Sequence, residues 1–434
     1  MSGETRRTRR TYLKTLGVAG AAGLGGLASA GSAVGRQGGP IPMGSLVPVT
    51  GSASPYGEGM QRAVNIAVSD VNDAGGPLDR QISMSNRDSE TQPSRAVVKL
   101  RSLISESGIV GFVGAFSSGV STTLAPVAAD SRVMEVSHGS TSPVLAEAGY
   151  RDGVKYFART SPNDAQQGIV MARAMENQVG ASTVAFLHVD NPYGAGLAEK
   201  ASQAFGGETT AMVGYGQDTT DFTSTLDSVF ADDPDAVGFI GYPGNARTIF
   251  RQWSNGGYGG QWVLSEAVNS PEFISSMSDV LEGMYLASPS PESTEGRSRY
   301  LEKIGDANTL FAPHAYDALF LQALAIEKAG EASGTAIARN IRSVSRPPGT
   351  NVTVGEFQRA KELLGNGEQI NYQGASSPVD LNERLEPLNR FALLRISGGE
   401  TETVETIPRS FFEGRLYEDG GTTTTAGTST TTSS

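Results

Sequence analysis

The sequence predicts an α/β protein of two doubly wound units, each a mostly parallel sheet with helices on both faces, and a ligand cleft between them. Three observations carry this expectation. From Ile41 onward, short apolar runs alternate with helical patterns, which is the signature of repeated β-α-β. The alternation restarts after Arg159-Thr160-Ser161-Pro162. No low-complexity linker separates the two halves, and α/β units in such close succession share clefts where ligands bind.

Each element has a local cause. A first strand, Ile41 to Val49, ends at the turn Thr50-Gly51-Ser52. A helix from Tyr56 to Asn72 follows because Met60, Ala63, Val64, Ala67, Val68 and Val71 fall on one face, and it stops at Asp73-Ala74-Gly75-Gly76. Strands Ile82 to Asn86, Ile109 to Val113 and Val133 to Ser137 then alternate with helices Ser94 to Ser105 and Ser121 to Ser131. The second unit is predicted as helix Asp164 to Val179, strand Thr183 to Val189, helix Tyr193 to Phe205 and strand Thr209 to Tyr215. It continues through helix Phe222 to Ala231, strand Ala236 to Gly241, helix Gly244 to Asn255 and strand Trp262 to Ser265. A later helix is expected from His314 to Ala329, followed by an irregular piece up to about Gly367.

The first thirty residues read as a twin-arginine export signal. Arg9 and Arg10 precede Tyr12-Leu13-Lys14, a short alanine- and glycine-rich apolar run, and the small-residue site Ala28-Ser29-Ala30. That run is too short and too rich in glycine to span a bilayer. The expected location of the mature chain is therefore extracytoplasmic, at the cell surface or secreted, with no membrane-spanning segment. Cleavage near Ala30 removes five basic residues and one acidic residue, so the net charge moves from −12 to −16. At the other end, residues 420–434 are almost all threonine, serine and glycine, which cannot build a core. They read as a disordered tail or a glycosylated tether. Asn351-Val352-Thr353 is an N-glycosylation sequon.

Composition removes whole classes of function. The 434 residues include no cysteine, which excludes disulfides, thiolate metal sites and cysteine nucleophiles. The only histidines are His138, His188 and His314, and their spacing fits no zinc motif. No metal site and no cofactor is expected. Lysine is scarce, 7 against 27 arginines, in an acidic chain. That balance fits a halophile, with an ordinary acidic extracellular protein as the alternative, and its sign argues against nucleic acid as a partner.

Four loops beyond strand ends could meet a ligand in a cleft, because open parallel sheets bind there and helix N-termini offer unpaired N–H groups. They are Ala115-Phe116-Ser117-Ser118, His138-Gly139-Ser140-Thr141, Asp190-Asn191-Pro192-Tyr193 and Gly241-Tyr242-Pro243. Ser117, Ser118, Ser140 and Thr141 together suit a carboxylate, although Ser and Thr are also ordinary helix caps. Glu266, just past a strand, would pair with an ammonium or else be a solvated loop residue. Tyr193 and Tyr242 would wall a ligand that is charged at one end and apolar along its side, or else pack in a core.

The span from Ile41 to about Pro408 resembles the type I periplasmic binding proteins of ABC importers, in particular the branched-chain amino-acid binding group. Its matching segments are Val47-Pro48-Val49-Thr50-Gly51, Asn72-Asp73-Ala74-Gly75-Gly76, Val136-Ser137-His138-Gly139-Ser140-Thr141-Ser142-Pro143, Asp190-Asn191-Pro192-Tyr193-Gly194 and Ile370-Asn371-Tyr372-Gln373-Gly374-Ala375-Ser376. His138 and Gly139 stand where relatives often carry proline and alanine, and Ser377 where glycine is common. The resemblance implies two Rossmann-like lobes: 41–159 plus 288–370, and 160–287 plus 371–410. It also implies three hinge crossings, near Thr160, Ala287 to Ser290 and Ile370 to Val379. It further implies that Ser117 or Ser118 with Thr141 and the Gly139 main chain hold an amino acid's carboxylate, Glu266 its ammonium, and Tyr56, Tyr193, Tyr242 and Phe311 its side chain. The expected function is a non-enzymatic, monomeric receptor that closes on a branched-chain or other neutral aliphatic amino acid and delivers it to an ABC permease. An amide, urea or aromatic carboxylate is the alternative solute. An extracellular enzyme is the remote alternative, since no Gly-x-Ser-x-Gly elbow or paired metal ligands are present.

Overall fold

The computed structural model describes residues 38–416, Ser293 excepted. The export signal and the threonine-rich tail lie outside the described residues. The chain begins with β1 (Ile41–Val47), α1 (Gly57–Asp73), β2 (Ile82–Asp88), α2 (Pro93–Ser107), β3 (Gly111–Val113), α3 (Ser118–Asp130) and β4 (Met134–Ser137). A small hairpin, β5 (Tyr150–Arg151) and β6 (Val154–Lys155), precedes β7 (Phe157–Arg159). These strands form a five-stranded sheet in the order β2-β1-β3-β4-β7, parallel throughout.

A second sheet follows from α4 (Asp164–Ala174), β8 (Thr183–Val189), α5 (Pro192–Ala204), β9 (Glu208–Tyr215), α6 (Thr223–Val229), β10 (Ala236–Ile240), α7 (Pro243–Gly256) and β11 (Gln261–Leu264). After the short helices α8 (Pro271–Ser276) and α9 (Ser278–Leu281), β12 (Tyr285–Pro289) joins it. The chain then makes α10 (Glu295–Ile304), α11 (Ala312–Ala329), α12 (Gly334–Val344), β13 (Thr350–Thr353), α13 (Phe357–Gly365) and β14 (Ile370–Gln373), and returns as β15 (Phe391–Ser397) and β16 (Glu400–Ile407). The second sheet therefore has seven strands, β16-β15-β12-β11-β10-β8-β9. β15 runs antiparallel to both its neighbours, β12 and β16. The predicted architecture of two α/β lobes stands.

Local differences have local causes. The piece expected to be irregular between Ala329 and Gly367 contains α12, β13 and α13. α12 is capped by Ser333, whose side chain accepts from the Ala336 amide, and it buries Ile337, Ile341 and Val344. β13 is held only by pairing with β14 from further along the chain, which no local pattern announces. The helix predicted over Asp164 to Val179 widens into a π turn at Met175–Val179 before Gly180 ends it in the left-handed region. α11 is buried on every side from Ala312 to Ile326, its surface apolar except for His314, Asp317 and Gln322.

One ion pair joins distant parts of the chain. Arg159, at the end of β7, is fully buried against Glu386 in the segment between β14 and β15. Its Nε donates to Glu386 Oε2 at 2.8 Å, and its Nη1 donates to the carbonyls of Ser140 (3.1 Å) and Ser142 (2.8 Å). Asn163 Nδ2 donates to the second carboxylate oxygen at 3.1 Å. Replacing Arg159 by Met strands Glu386 in the interior, so denaturant unfolding is expected to show a loss of about 3–5 kcal/mol. The double variant Arg159→Met, Glu386→Leu is expected to recover part of that loss.

Candidate ligand site between the two sheets

Strand order decides where a ligand can sit. In the first sheet the order reverses between β1 and β3, and in the second between β8 and β10. Loops at such switch points splay apart and leave a crevice beyond the strand ends. The predicted site residues come from these loops and their neighbours: Tyr56 after β1, Ser117 and Ser118 after β3, Gly139, Ser140 and Thr141 after β4, Tyr193 after β8, Tyr242 after β10 and Glu266 after β11. Between them lies a narrow cavity of about 170 Å³. Ser118 and Gly139 line it from one sheet and Tyr193, Tyr242 and Glu266 from the other, with Phe116 and Ala267. Most of that space is too tight to fill: only about 10 Å³ is open, roughly the room of one water molecule, so a solute enters when the surrounding loops part.

One side of the cavity is rich in hydroxyls and amides. Helix α3 starts at Ser118, three residues earlier than its apolar spacing suggests, with Ser117 as its cap residue. The first turn therefore points its unpaired N–H groups toward the crevice. Ser118 Oγ accepts from the Ser142 amide at 3.1 Å, which leaves its own proton to donate. Ser117 Oγ lies 2.9 Å from Tyr242 OH and so bridges the two sheets. The Thr141 hydroxyl is buried and has no hydrogen-bond partner. Ser140 turns away from the cavity and braces the loop, donating to Ala115 O (3.1 Å) and lying 2.9 Å from Ser121 Oγ.

The opposite side is acidic. Glu266 is 2% exposed and sits in a single helical turn, Glu266–Val268. Gln167 Nε2 donates to its carboxylate. Tyr193 OH lies 3.0 Å from Glu266 Oε2 and 2.9 Å from Ser265 Oγ, so its single proton is given to the carboxylate. Burial pushes the Glu266 pKa up to about 7, against the opposing effect of the Gln167 and Tyr193 hydrogen bonds. Asp164, at the start of α4, is fully buried, and neither of its carboxylate oxygens has a partner. Burial first, and then the charge of Glu266, hold its pKa well above the carboxylate range, while the nearby Thr141 hydroxyl pulls the other way. Two desolvated acids side by side share a strong demand for a cation or a proton.

Aromatic rings close the space. Tyr193 and Tyr242 stack at 5.7 Å. Phe116 lies 5.8 Å from Tyr56, 6.3 Å from Tyr242 and 6.1 Å from Phe311. Tyr56 OH donates across the crevice to Ala267 O at 2.9 Å. Tyr56 and Phe311 thus stand behind Phe116 and line a neighbouring cavity instead of this one. His138 is buried with Nε2 3.3 Å from Met60 Sδ, and burial lowers its pKa to about 3, so it is neutral. Among the described residues no group of three or more His, Asp or Glu side chains is placed to hold a metal ion.

Sequence reasoning did not single out Asp164, Gln167 or Phe116 as site residues. Phe116 stood within a loop already noted, and only the ring contacts give it a role. Asp164 and Gln167 lie at the head of a helix in the second half of the sequence. Their nearness to Glu266 depends on how α4 packs against β11 and β12 of the second sheet, far along the chain, so no local signal could have found them.

The comparisons with known proteins agree with this geometry. Residues 40–362 match the family model described as "Periplasmic binding protein". The chain belongs to that family. A chemotactic signal transduction system substrate-binding protein, BasB, from Halobacterium salinarum is 36% identical over 390 residues, covering 88% of this chain and 92% of that one. A Leu/Ile/Val-binding protein homolog 1 from Brucella suis biovar 1 is 26% identical, covering 72% and 84%. Among solved structures, a leucine binding protein LivK from Thermotoga maritima superposes with a TM-score of 0.72 at 22% identity, over 86% of this chain and all but 1% of that one (99%). The branched-chain amino acid transporter substrate binding protein LivJ from Streptococcus pneumoniae, solved with isoleucine, gives 0.70 at 20% identity, covering 85% and 99%. The protein is thus a solute-binding protein of the type I fold, from a family of extracytoplasmic binding proteins. None of its described helices is long and apolar enough to cross a membrane.

Gly139 is the tightest point of the hydroxyl side, because a Cβ there would stand 2.6 Å from Phe116 Cδ2. Gly139→Ala is expected to displace the Phe116 ring at a cost of about 1–3 kcal/mol in denaturant unfolding. Phe116→Leu in the same chain should recover part of that cost.

Proposed function

We propose that this protein is an extracytoplasmic receptor for a small zwitterionic amino acid, branched-chain or another neutral aliphatic one, which it captures by lobe closure. The supporting observation is the polarity of the cavity: hydroxyls and the α3 N-terminus on one side, the buried acids Glu266 and Asp164 on the other. In this reading Ser118, Thr141 and the Gly139 backbone take the carboxylate, with Ser117 bracing Tyr242. Glu266 takes the ammonium, and Asp164, whose ionised form burial disfavours, stands near it as a second acid. Tyr193, Tyr242 and Phe116 cover the aliphatic side chain, with Tyr56 and Phe311 behind them. Closure turns on three crossings between the lobes, near Thr160, Ala287 to Ser290 and Ile370 to Val379, and few residues absorb the backbone change. The lobes are 41–159 with 288–370, and 160–287 with 371–410. The receptor acts as a monomer, performs no chemistry and hands its solute to an ABC permease.

A second output is favoured by one observation, the similarity to a substrate-binding protein of a chemotactic signal transduction system. In that reading the closed form is presented to a signalling partner. The Arg9-Arg10 pair routes the precursor through twin-arginine export, and the acidic, lysine-poor composition fits a salt-rich habitat shared with the haloarchaeal relative. Replacing Arg9 and Arg10 by lysines is expected to leave uncleaved precursor inside the cell, which an immunoblot of cell and medium fractions would detect.

Titration calorimetry at high salt is expected to show Leu, Ile or Val binding to the wild type. Glu266→Ala should weaken it by about 2–5 kcal/mol, because an ammonium is left buried without its partner. A correctly folded wild type that binds no amino acid overturns the reading. The pH dependence follows from the raised pKa of Glu266, about 7. Above that value the carboxylate is already ionised and affinity is flat; below it, binding must displace a proton. Affinity is therefore expected to fall by up to about tenfold per pH unit as pH drops below 7.

A further inference from the structure

Next to the amino-acid site, and separated from it by Tyr56, Phe116 and Phe311, lies a larger cavity of about 840 Å³ including its mouth. It sits between the loop before α1, the residues after the Glu266 turn, the end of β12 and the start of α11. We propose that this cavity is a second binding compartment, which takes a carboxylate-bearing, aromatic-sized solute on Arg297.

Charge is the first argument. Arg297 is the cationic residue on the cavity wall, and no Asp or Glu lines it, in a chain whose net charge is −12. An arginine beside acids would be ordinary in such a protein; one facing a cavity without them is not. Arg297 Nη1 is buried and has no hydrogen-bond partner, and among the described residues the side chain makes no ion pair. The acid acting on it from behind, Asp317, has its carboxylate committed to Tyr372 OH (2.7 Å), the Ala375 amide (2.7 Å), the Ser376 amide (2.8 Å) and the Ser376 hydroxyl (2.6 Å). The guanidinium lies over the Tyr300 ring, 5.7 Å from its centroid, and its unpaired Nη1 is the donor left for a carboxylate.

Unsatisfied polar atoms are the second argument. His314 is 3% exposed and lies on the same wall, and neither ring nitrogen has a partner. Asn308 Oδ1 is buried without one as well. Buried polar groups are nearly always paired, so unpaired ones behind one cavity wall leave bonding capacity that a guest meets when their side chains turn toward it. The remaining surface is built for a flat apolar body. Pro271, Pro289, Pro291 and Pro313 line it with Tyr56 and Phe311; proline walls are stiff and lose little freedom on binding.

The partition makes the two compartments neighbours without merging them. Tyr56 lines the larger cavity, and its hydroxyl donates to the carbonyl of Ala267, which lines the smaller one.

Titration calorimetry of benzoate into the full chain tests the proposal, with benzamide as the uncharged counterpart. Benzoate is expected to bind, and benzamide at least about tenfold more weakly. Arg297→Gln and, separately, Asn308→Asp should each weaken benzoate by at least about tenfold. Asn308 is half-buried, so the second variant supplies an acid on the wall with little risk to folding. Glu266→Ala should leave benzoate affinity within about twofold, since Glu266 does not line the larger cavity. The proposal is overturned if benzoate fails to bind, if benzamide binds equally well, or if a folded Arg297 or Asn308 variant binds benzoate like the wild type. Loss of benzoate binding in Glu266→Ala also overturns it, because the ligand would then occupy the amino-acid site. Direct leucine titration reports that first site independently, so either reading can fail alone.

Discussion

The buried Arg159–Glu386 pair is the constraint on which the site depends. A guanidinium and a carboxylate removed from water are costly, and they are tolerated only when nearly every donor and acceptor is used. Here Arg159 divides its donors between Glu386 and the carbonyls of Ser140 and Ser142. Satisfying the charge thereby fixes the loop that carries Gly139 and Thr141. The same pair ties the end of β7 to the segment leading into β15. The hydroxyl side of the cavity is therefore positioned by an interaction that never touches it.

The acidic side is arranged on the opposite principle. Glu266 and Asp164 are left incompletely satisfied, and Asp164 has only the nearby Thr141 hydroxyl to offset its burial. A fold that tolerates this stores an electrostatic demand that a cationic guest can meet. Stiff surroundings keep that demand in place: Tyr193 is held by Ser265 and Gln167 by the Ala287 carbonyl. The hydroxyl side offers neutral donors and a helix N-terminus, so the cavity is polarised along its length. Polarity of this kind selects zwitterions over simple anions or cations. Across the aromatic partition the balance reverses, with an arginine and no acid, and two neighbouring spaces in one protein acquire opposite preferences.

Much of this was legible in the sequence. The alternating apolar runs of both halves became eight of the twelve strands of the two sheets, all but β7, β12, β15 and β16, because a buried parallel strand must be apolar on both faces and its flanking helices amphipathic. The serine, threonine and glycine loops after β3 and β4 and the glutamate after β11 were placed by their position at strand ends alone. What escaped was whatever depends on a partner far away. β13 has a single apolar residue, Val352, and is held in the sheet by β14. Phe311 looked like a cleft residue but stands one ring further back. Asp164 looked like the ordinary acidic start of a helix.

The sequence by itself determined that the chain is an α/β protein of two similar lobes, lacks thiol chemistry, and carries hydroxyl-rich loops and an acid where strands end. It could do so because periodicity, composition and turn residues are local properties. Only the tertiary structure decided which of those groups converge. Pairing Glu266 with Asp164, turning Ser140 inward as a brace and leaving Arg297 unopposed beside His314 all depend on how elements distant in sequence approach one another. That approach is set by the burial of α11 and by the Arg159–Glu386 clamp, and neither effect can be read from the residues one stretch at a time.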